Sequence, residues 1–225
     1  ARGILDETEG VRDFGARTPD LQLVVDNAVL EGREPNRRRE LGSKERLLLE
    51  GLRESFREEG KCVVVSCYFV LTFRRLKFVL ESAAGKLGFD RVLTIEADHT
   101  TEERRRAVRD FGPGDVLLMS SAGKESLNLG QSDELWMYNV LWSTRDAMQT
   151  ERRITRMDSE HESFEVVLPL AAGTIDEYKK RVWEHKAQVF AKVLAPEASM
   201  IESDEEVTMD ALKALREELL WKTAG

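Results

Sequence analysis

The chain has 225 residues, with 34 lysines and arginines against 42 aspartates and glutamates, and a formal net charge of −8. Its longest stretch without a charged residue, Cys62–Phe73, has only 12 residues, which excludes a membrane-spanning helix. Cys62 and Cys67 lie on opposite faces of one predicted strand, so we expect free thiols and an intracellular location, in the cytoplasm or nucleus. Three scattered histidines and these two cysteines predict no metal site.

The negative charge is concentrated at one end of the chain. Eight acidic and three basic residues lie between Pro196 and Gly225, so five of the eight net negative charges belong to that segment. Residues 1–195 carry only −3. The net charge of the whole chain therefore does not exclude a nucleic-acid partner for this nearly balanced body.

The predicted secondary structure alternates between helices and short apolar strands from residue 43 onwards. Before it, Thr18-Pro19 and the apolar residues up to Leu30 predict one short helix, and Gly32–Arg39 is typical of a linker. The sequence pattern predicts helices over Ser43–Glu59, Val70–Leu87, Thr100–Phe111, Arg145–Arg156, Thr174–Leu194 and Asp210–Trp221, and strands over Lys61–Tyr68, Arg91–Ile95, Asp115–Met119, Glu134–Asn139 and Phe164–Leu170. Two of these helices are predicted to begin with a capping box, Thr100–Glu103 and Thr174–Glu177. This order predicts an α/β fold with a mostly parallel sheet flanked by helices.

Ligands bind at the carboxyl ends of parallel strands, so the loops after the strands are the informative ones. The chain contains no G-x-x-x-x-G-K-[ST] loop, and Gly123–Ser126 lacks the first glycine of one. Gln149, Arg153 and Arg156 are spaced by four and three residues, which places them on one helix face. That face is either a solvated surface with weak ion pairs or a phosphate clamp, for which the arginine fork is well suited.

Several segments in order resemble the second RecA-like lobe of superfamily 2 helicases and translocases of the Snf2-like group. Ala122–Leu129 is similar to the group's A-G-G-x-G-L-N-L segment, Trp142 to its W-N-P, and Gln149 to Arg156 to its Q-A-x-x-R-x-x-R motif. Three further segments are similar to group motifs, namely Val63–Ser66, Ile95–Arg104 and Gly173–Glu177. The resemblance runs from about residue 43 to 194.

The resemblance divides the chain into residues 1–42 as a linker or residual N-terminal segment, 43–171 as the helicase C-terminal lobe, and 172–225 as a helical C-terminal extension with an acidic tail. Some positions depart from the group pattern, such as Ser126 for a glycine, Ala97 for another and Ser143-Thr144 for Asn-Pro. We expect a divergent branch of the group, with a phage or viral source as one option and the host cytoplasm as its location.

The resemblance implies a role for each matching residue. Arg153, Arg156 and Gln149 would act on ATP, with the arginines reaching its γ-phosphate, while ATP and Mg²⁺ would be held mainly by a first lobe outside this chain. Coupling of the nucleotide to the bound strand falls to Gly123, Ser126 and Asn128. Contacts with the nucleic-acid backbone, with DNA as the expected partner, fall to Ser66, Ser120, Ser121 and Arg104.

Two other interpretations compete with this one. In the first, the lobe catalyses no reaction and serves as a protein-interaction module whose acidic tail docks a partner. In the second, the chain is a different nucleotide-binding domain, such as a transferase. The arginine cluster at Arg104–Arg109 likewise has two interpretations, nucleic-acid contact or a solvated helix face balanced by Glu102, Glu103 and Asp110.

Overall fold

The computed structural model describes residues 11–29, 35–57, 60–120, 127–141 and 164–194, with 11–17 and 185–194 described by their backbone alone. The helices are α1 (Val11–Val25), α2 (Ser43–Ser55), α3 (Val70–Ala83), α4 (Thr101–Asp110) and α5 (Ile175–Leu194). The strands are β1 (Val63–Ser66), β2 (Arg91–Ile95), β3 (Asp115–Met119), β4 (Glu134–Met137) and β5 (Glu165–Val167). The predicted helices over 145–156 and 210–221 lie outside the described residues. No helix in the described part is long and apolar enough to cross a membrane.

The chain separates into two compact units, and the larger one, residues 26–139 and 145–169, contains the sheet. All five strands are parallel, in the order β2-β3-β1-β4-β5. The central strand β1 pairs in register with both neighbours, so that Val65 lies between Leu118 and Trp136. The predicted α/β fold with a mostly parallel sheet is confirmed.

Both faces of the sheet are buried, as its nearly continuous apolar strands predict. On one face, Val63, Val65, Val116 and Leu118 pack with the apolar stripes of α2 and α3. The alternate residues Val64, Leu117 and Leu135 point to the other face and are also completely buried. The burial of both faces fixes the strand register, because a one-residue slip would exchange every side chain between the two faces.

Residues 35–40, most of which belong to the predicted linker Gly32–Arg39, are hydrogen-bonded to a buried side chain of the sheet-containing unit. The guanidinium of Arg75 on α3 donates to the main-chain oxygens of Arg38 (2.5 Å) and Glu40 (2.8 Å). It also forms a buried ion pair with Glu45 on α2, at 2.5 Å from Nε to Oε1. The side chains of residues 37–40 are exposed while the main chain accepts hydrogen bonds from a buried arginine, and the segment lies within one compact unit.

The second unit comprises residues 1–25, 140–144 and 170–225, of which α1 and α5 are described. Gln22 on α1 donates to Asp176 (2.9 Å) and accepts from Lys179 (2.6 Å), and all three side chains are buried. At the start of α5, Thr174 Oγ1 accepts the N–H of Asp176 (3.3 Å), while Glu177 reaches back to the N–H of Gly173 (2.8 Å). In the predicted capping box, Thr174 Oγ1 would accept from Glu177 and the Glu177 carboxylate from Thr174. Each of the two observed hydrogen bonds is displaced by one residue from that pattern.

Candidate functional site

The carboxyl edge of the sheet brings two of the predicted site residues onto adjacent strands. Ser66 is the last residue of β1 and pairs with Met119 of β3 and Met137 of β4. Ser120 directly follows β3, and its N–H donates to the oxygen of Ile95 at the end of β2 (2.9 Å). Because the chain goes from β1 to β2 on one side of the sheet and from β4 to β5 on the other side, this edge has a topological switch point between β1 and β4, where crevices for ligands form.

The two serine hydroxyls differ in how they are satisfied. Ser66 Oγ is 3.4 Å from the main-chain oxygen of Trp136, a long hydrogen bond, and no donor in the described ranges uses its acceptor lone pairs. Ser120 Oγ is buried and has no hydrogen-bond partner within the described ranges. A buried hydroxyl without a partner is costly, so this oxygen is suited to an interaction that the described residues do not themselves supply.

A buried polar network fixes the loops that follow β1 and β4. The carboxylate of Asp26 accepts from Thr72 (2.8 Å), Asn139 (2.6 Å) and Lys44 (3.2 Å). Asn139 in turn accepts the N–H of Tyr68 with its Oδ1 (2.8 Å), which joins the β4 loop to the β1 loop. The amino-acid sequence does not predict this network, since its members are separated by up to 113 residues and show no local pattern.

Cys67, next to Ser66, does not provide a nucleophile at this edge. Its side chain is buried, and burial together with the nearby negative charge of Asp26 raises the pKa of its thiol well above the ordinary value. The thiol therefore stays protonated at neutral pH, and only the thiolate is reactive. Both cysteines are free, as the sequence predicts.

Arg104 lies on α4, whose start is set by the predicted capping box. Thr100 Oγ1 accepts the N–H of Glu103 (3.3 Å), and Glu103 accepts the N–H of Thr100 (2.7 Å), which lowers the pKa of the Glu103 carboxyl. The half-buried Arg104 donates from Nη2 to the oxygen of Ala97 (2.9 Å) in the loop after β2. Arg104 thus holds that loop while remaining partly accessible.

The rest of the arginine cluster behaves as a solvated helix face. Arg106 pairs with Asp110 at 3.5 Å and Arg109 with Glu102 at 3.2 Å, and all four side chains are largely exposed. Such exposed pairs contribute little to stability. Arg104 differs from Arg106 and Arg109 in that it donates to the loop after β2 at the carboxyl edge.

Asn128 is exposed and uses its Oδ1 to accept the N–H of Gly130 (3.2 Å), which forms a local turn before β4. The remaining predicted site residues, Ser121, Gly123, Ser126, Gln149, Arg153 and Arg156, lie outside the described residues. Where the structure is described, no group of three or more histidine, cysteine, aspartate or glutamate side chains is placed to hold a metal ion.

Residues 43–158 match the family model described as the helicase conserved C-terminal domain. This match spans just over half of the chain, and it includes β1 to β4 and both serines of the carboxyl edge. The chain therefore belongs to the helicase conserved C-terminal domain family, and the predicted resemblance to a helicase second lobe is confirmed. No curated protein sequence matches the chain.

Solved structures of Snf2-type ATPases share the fold. The C-terminal part of the Fun30 ATPase domain is 16% identical, with a TM-score of 0.55 over 92% of this chain and 62% of that one. The Sulfolobus solfataricus SWI2/SNF2 ATPase core is 18% identical, with a TM-score of 0.59 over 84% of this chain and 38% of that one. The same core in complex with dsDNA is 20% identical, with a TM-score of 0.61 over 92% of this chain and 44% of that one. The chain thus spans between 38% and 62% of the length of these three structures.

Proposed function

We propose that this chain is the second lobe of a nucleic-acid-dependent ATPase of the Snf2-like type, a DNA helicase or translocase. The observation that carries this proposal is the helicase family match over residues 43–158, which covers β1 with Ser66, β3 with Ser120 and the Gln149–Arg156 motif. Support for DNA as the partner comes from the similar Sulfolobus solfataricus core, which was solved in complex with dsDNA.

In this proposal the carboxyl edge contacts the nucleic-acid backbone. Ser66 and Ser120 present two hydroxyls on neighbouring strands, and Ser120 Oγ has no partner among the described residues. Ser121 follows directly, and Arg104 adds a positive charge from α4. Hydroxyls and guanidiniums suit phosphate oxygens, and contacts of this kind position the strand without reading its sequence.

The arginine motif supplies the catalytic part of the proposal. Arg153 and Arg156, with Gln149 at helical spacing from both in the sequence, stabilise the charge that develops on the γ-phosphate of ATP. Gly123, Ser126 and Asn128, which come after β3 in the sequence, couple the nucleotide to the bound strand. In the described part, no carboxylate cluster suits Mg²⁺, so the proposal assigns the metal and most of the ATP contacts to a first lobe outside this chain.

The test is ATP hydrolysis by a protein that contains both lobes, measured with and without duplex DNA. Arg156→Ala should lower DNA-stimulated turnover by about 10³-fold or more, because arginine fingers contribute about 10³–10⁵ in rate. Arg53→Ala, an exposed change on α2, is the control and should leave turnover unchanged. The 225-residue chain alone should hydrolyse no ATP.

Two results would overturn the proposal. One is ATP turnover by the 225-residue chain that is lost with Arg156→Ala, since this would place a complete active site within the chain. The other is unchanged DNA-stimulated turnover in the Arg156→Ala two-lobe protein. If nucleic acid affects no activity of that protein, the alternative of an interaction module is supported instead.

A further inference from the structure

A groove lies between α3 and residues 35–41. It consists of two cavities, of about 490 Å³ and 380 Å³, which lie on either side of Phe78. The larger one is formed by the second half of α3, by residues 86–87 and by residues 38–41. Since α3 begins at the carboxyl end of β1, its second half lies towards the opposite edge of the sheet, so the larger cavity is separate from the proposed phosphate contacts, while the smaller one extends along the first half of α3.

The groove carries an excess of positive charge that the described residues do not neutralise. Arg37, Arg38 and Arg39 are exposed along one rim, and Arg74 adds a fourth exposed guanidinium from α3. Among the described residues none of these four forms an ion pair, in contrast to Arg106 and Arg109 on α4. Unpaired arginines gathered on one surface of a chain with net charge −8 are a local feature that attracts an acidic partner.

The floor of the larger cavity is apolar. Its lining includes Leu41, Leu49, Phe78 and Leu87, and Phe78 remains about one-third exposed. Lys86 closes one end with its Nζ on the oxygen of Ser82 (3.0 Å). An apolar floor with a basic rim suits a ligand that carries both bulky apolar side chains and acids.

The arginine-bearing rim is held in place before any ligand binds. Arg75, completely buried beneath it, anchors the main-chain oxygens of Arg38 and Glu40 and is itself fixed by Glu45. The guanidinium of Arg75 also lies 5.8 Å from the ring centre of Phe78. A rim with a fixed backbone loses less conformational entropy on binding than a flexible loop would.

We propose that this groove binds an acidic amphipathic segment of a partner protein, with its apolar side chains on the Phe78 floor and its carboxylates on Arg37, Arg38, Arg39 and Arg74. Helix-in-groove recognition of this kind uses apolar anchors at positions i, i+3, i+4 and i+7. Nucleic acid is disfavoured, because the floor of the larger cavity offers apolar side chains in place of hydrogen-bond donors for phosphates. The proposal goes beyond the ATPase assignment and does not depend on it.

The test measures binding of a fluorescein-labelled peptide to the 225-residue chain by fluorescence anisotropy. The probe is a peptide of about 18 residues with leucines at helical spacing and glutamates elsewhere. We expect saturable binding that weakens about tenfold or more in Arg38→Glu/Arg39→Glu, because two attractive rim charges become repulsive. Arg105→Glu/Arg106→Glu on α4 is the matched control and should not change the affinity. Circular dichroism melting curves check that both variants stay folded, which we expect since all four side chains are exposed.

Two further probes separate the alternatives. A peptide with serines in place of the leucines should bind about tenfold more weakly, since the apolar anchors are lost. A 20-base-pair DNA duplex should not displace the original peptide. The proposal is overturned if the acidic peptide shows no saturable binding, if both double variants bind it equally, or if DNA displaces it and itself loses affinity in Arg38→Glu/Arg39→Glu.

Discussion

Arg75 and Glu45 form an ion pair in which both side chains are excluded from solvent, with relative exposures of 1% and 0%. Two contacts join them, Nε to Oε1 at 2.5 Å and Nη2 to Oε2 at 3.0 Å. Glu45 Oε2 also accepts the N–H of Gly42 (2.7 Å), and so the same carboxylate caps α2. One pair thus joins α2, α3 and residues 38–40.

Arg75→Met should destabilise the sheet-containing unit by about 3–5 kcal/mol, because it leaves the buried carboxylate of Glu45 without its cation. The measurement is the urea unfolding midpoint. The neighbouring Arg74→Met is the control, since Arg74 is exposed, and it should change the free energy of unfolding by less than about 0.5 kcal/mol. In Arg75→Met/Glu45→Gln much of the loss should be recovered; equal losses in the single and double variants would contradict this account.

Gly51→Ala should destabilise the protein although alanine is the better helix former. A Cβ at this position of α2 would lie 2.2 Å from two ring atoms of Trp136. The ring is fixed by a hydrogen bond from its N–H to Glu134, which also accepts from Ser55 (2.6 Å). We expect overpacking to cost about 1–3 kcal/mol, which exceeds the gain of about 1 kcal/mol in helix propensity.

Gly112→Ala is the matched control for Gly51→Ala, because a Cβ there meets nothing within 4 Å. It should be neutral or stabilise by up to about 1 kcal/mol through the unfolded chain. Thermal melting of both variants decides the point. Equal melting temperatures for the two variants would show that the Trp136 ring moves aside freely.

The stability of the protein should fall as pH rises above about 8.5, where an unfolded cysteine loses its proton. Burial and Asp26 raise the pKa of Cys67 well above its ordinary value in the folded state. Between the two pKa values the folded state keeps a proton that the unfolded state has lost. The free energy of unfolding therefore falls by up to about 1.4 kcal/mol per pH unit. Below the unfolded pKa this contribution is fully present.

The comparison with Cys67→Ala isolates this effect, because alanine does not titrate and its packing loss is independent of pH. The difference in free energy of unfolding between the parent and Cys67→Ala should shrink from pH 8 to pH 10. A constant difference would contradict the raised pKa. The native thiol should also resist alkylation at pH 8, since it is buried and protonated.

Thr72→Val and Ser120→Ala should differ in their effects on stability. Thr72 Oγ1 donates to the carboxylate of Asp26 (2.8 Å) inside the buried network, so its loss should cost about 1.5–3 kcal/mol. Ser120 Oγ has no partner among the described residues, so Ser120→Ala should not destabilise the protein and should stabilise it by up to about 1 kcal/mol, since a costly buried hydroxyl is removed. Urea denaturation measures both, and a Ser120→Ala loss as large as that of Thr72→Val would contradict this assignment.

Sequence reasoning located β2 and β3 with the observed bounds because both are short apolar runs between turn residues. It placed the start of α4 correctly because the Thr100–Glu103 box is a local signal. It extended α2 and α3 too far, since Phe56 and Leu87 continue the apolar stripe after each helix has ended and still pack on the core. The spacing of apolar residues predicts which residues face the core, but it does not predict where the helical hydrogen bonds end.

The buried charges were beyond sequence reasoning for a different reason. Asp26, Lys44, Glu45 and Arg75 are residue types that are almost never fully buried, so composition and periodicity predict them to be on the surface. Their partners are 18 to 113 residues away in the chain, and only the packed structure brings them together. The serines of the carboxyl edge were accessible to prediction because Ser66 and Ser120 stand at the ends of predicted apolar strands and the family resemblance implies phosphate contacts there.

The position of β1 at the centre of the sheet limits how the chain can acquire its structure during synthesis. Its two pairing partners, β3 and β4, come about 50 and 70 residues later, so neither edge of β1 is covered until those segments have left the ribosome. Pairing over such separations is slow, since the entropy of closing the intervening chain is lost before the contacts form. Until residue 137 emerges, Val63–Ser66 is an apolar strand with an open edge, the kind of segment that molecular chaperones shield and that aggregates when they do not.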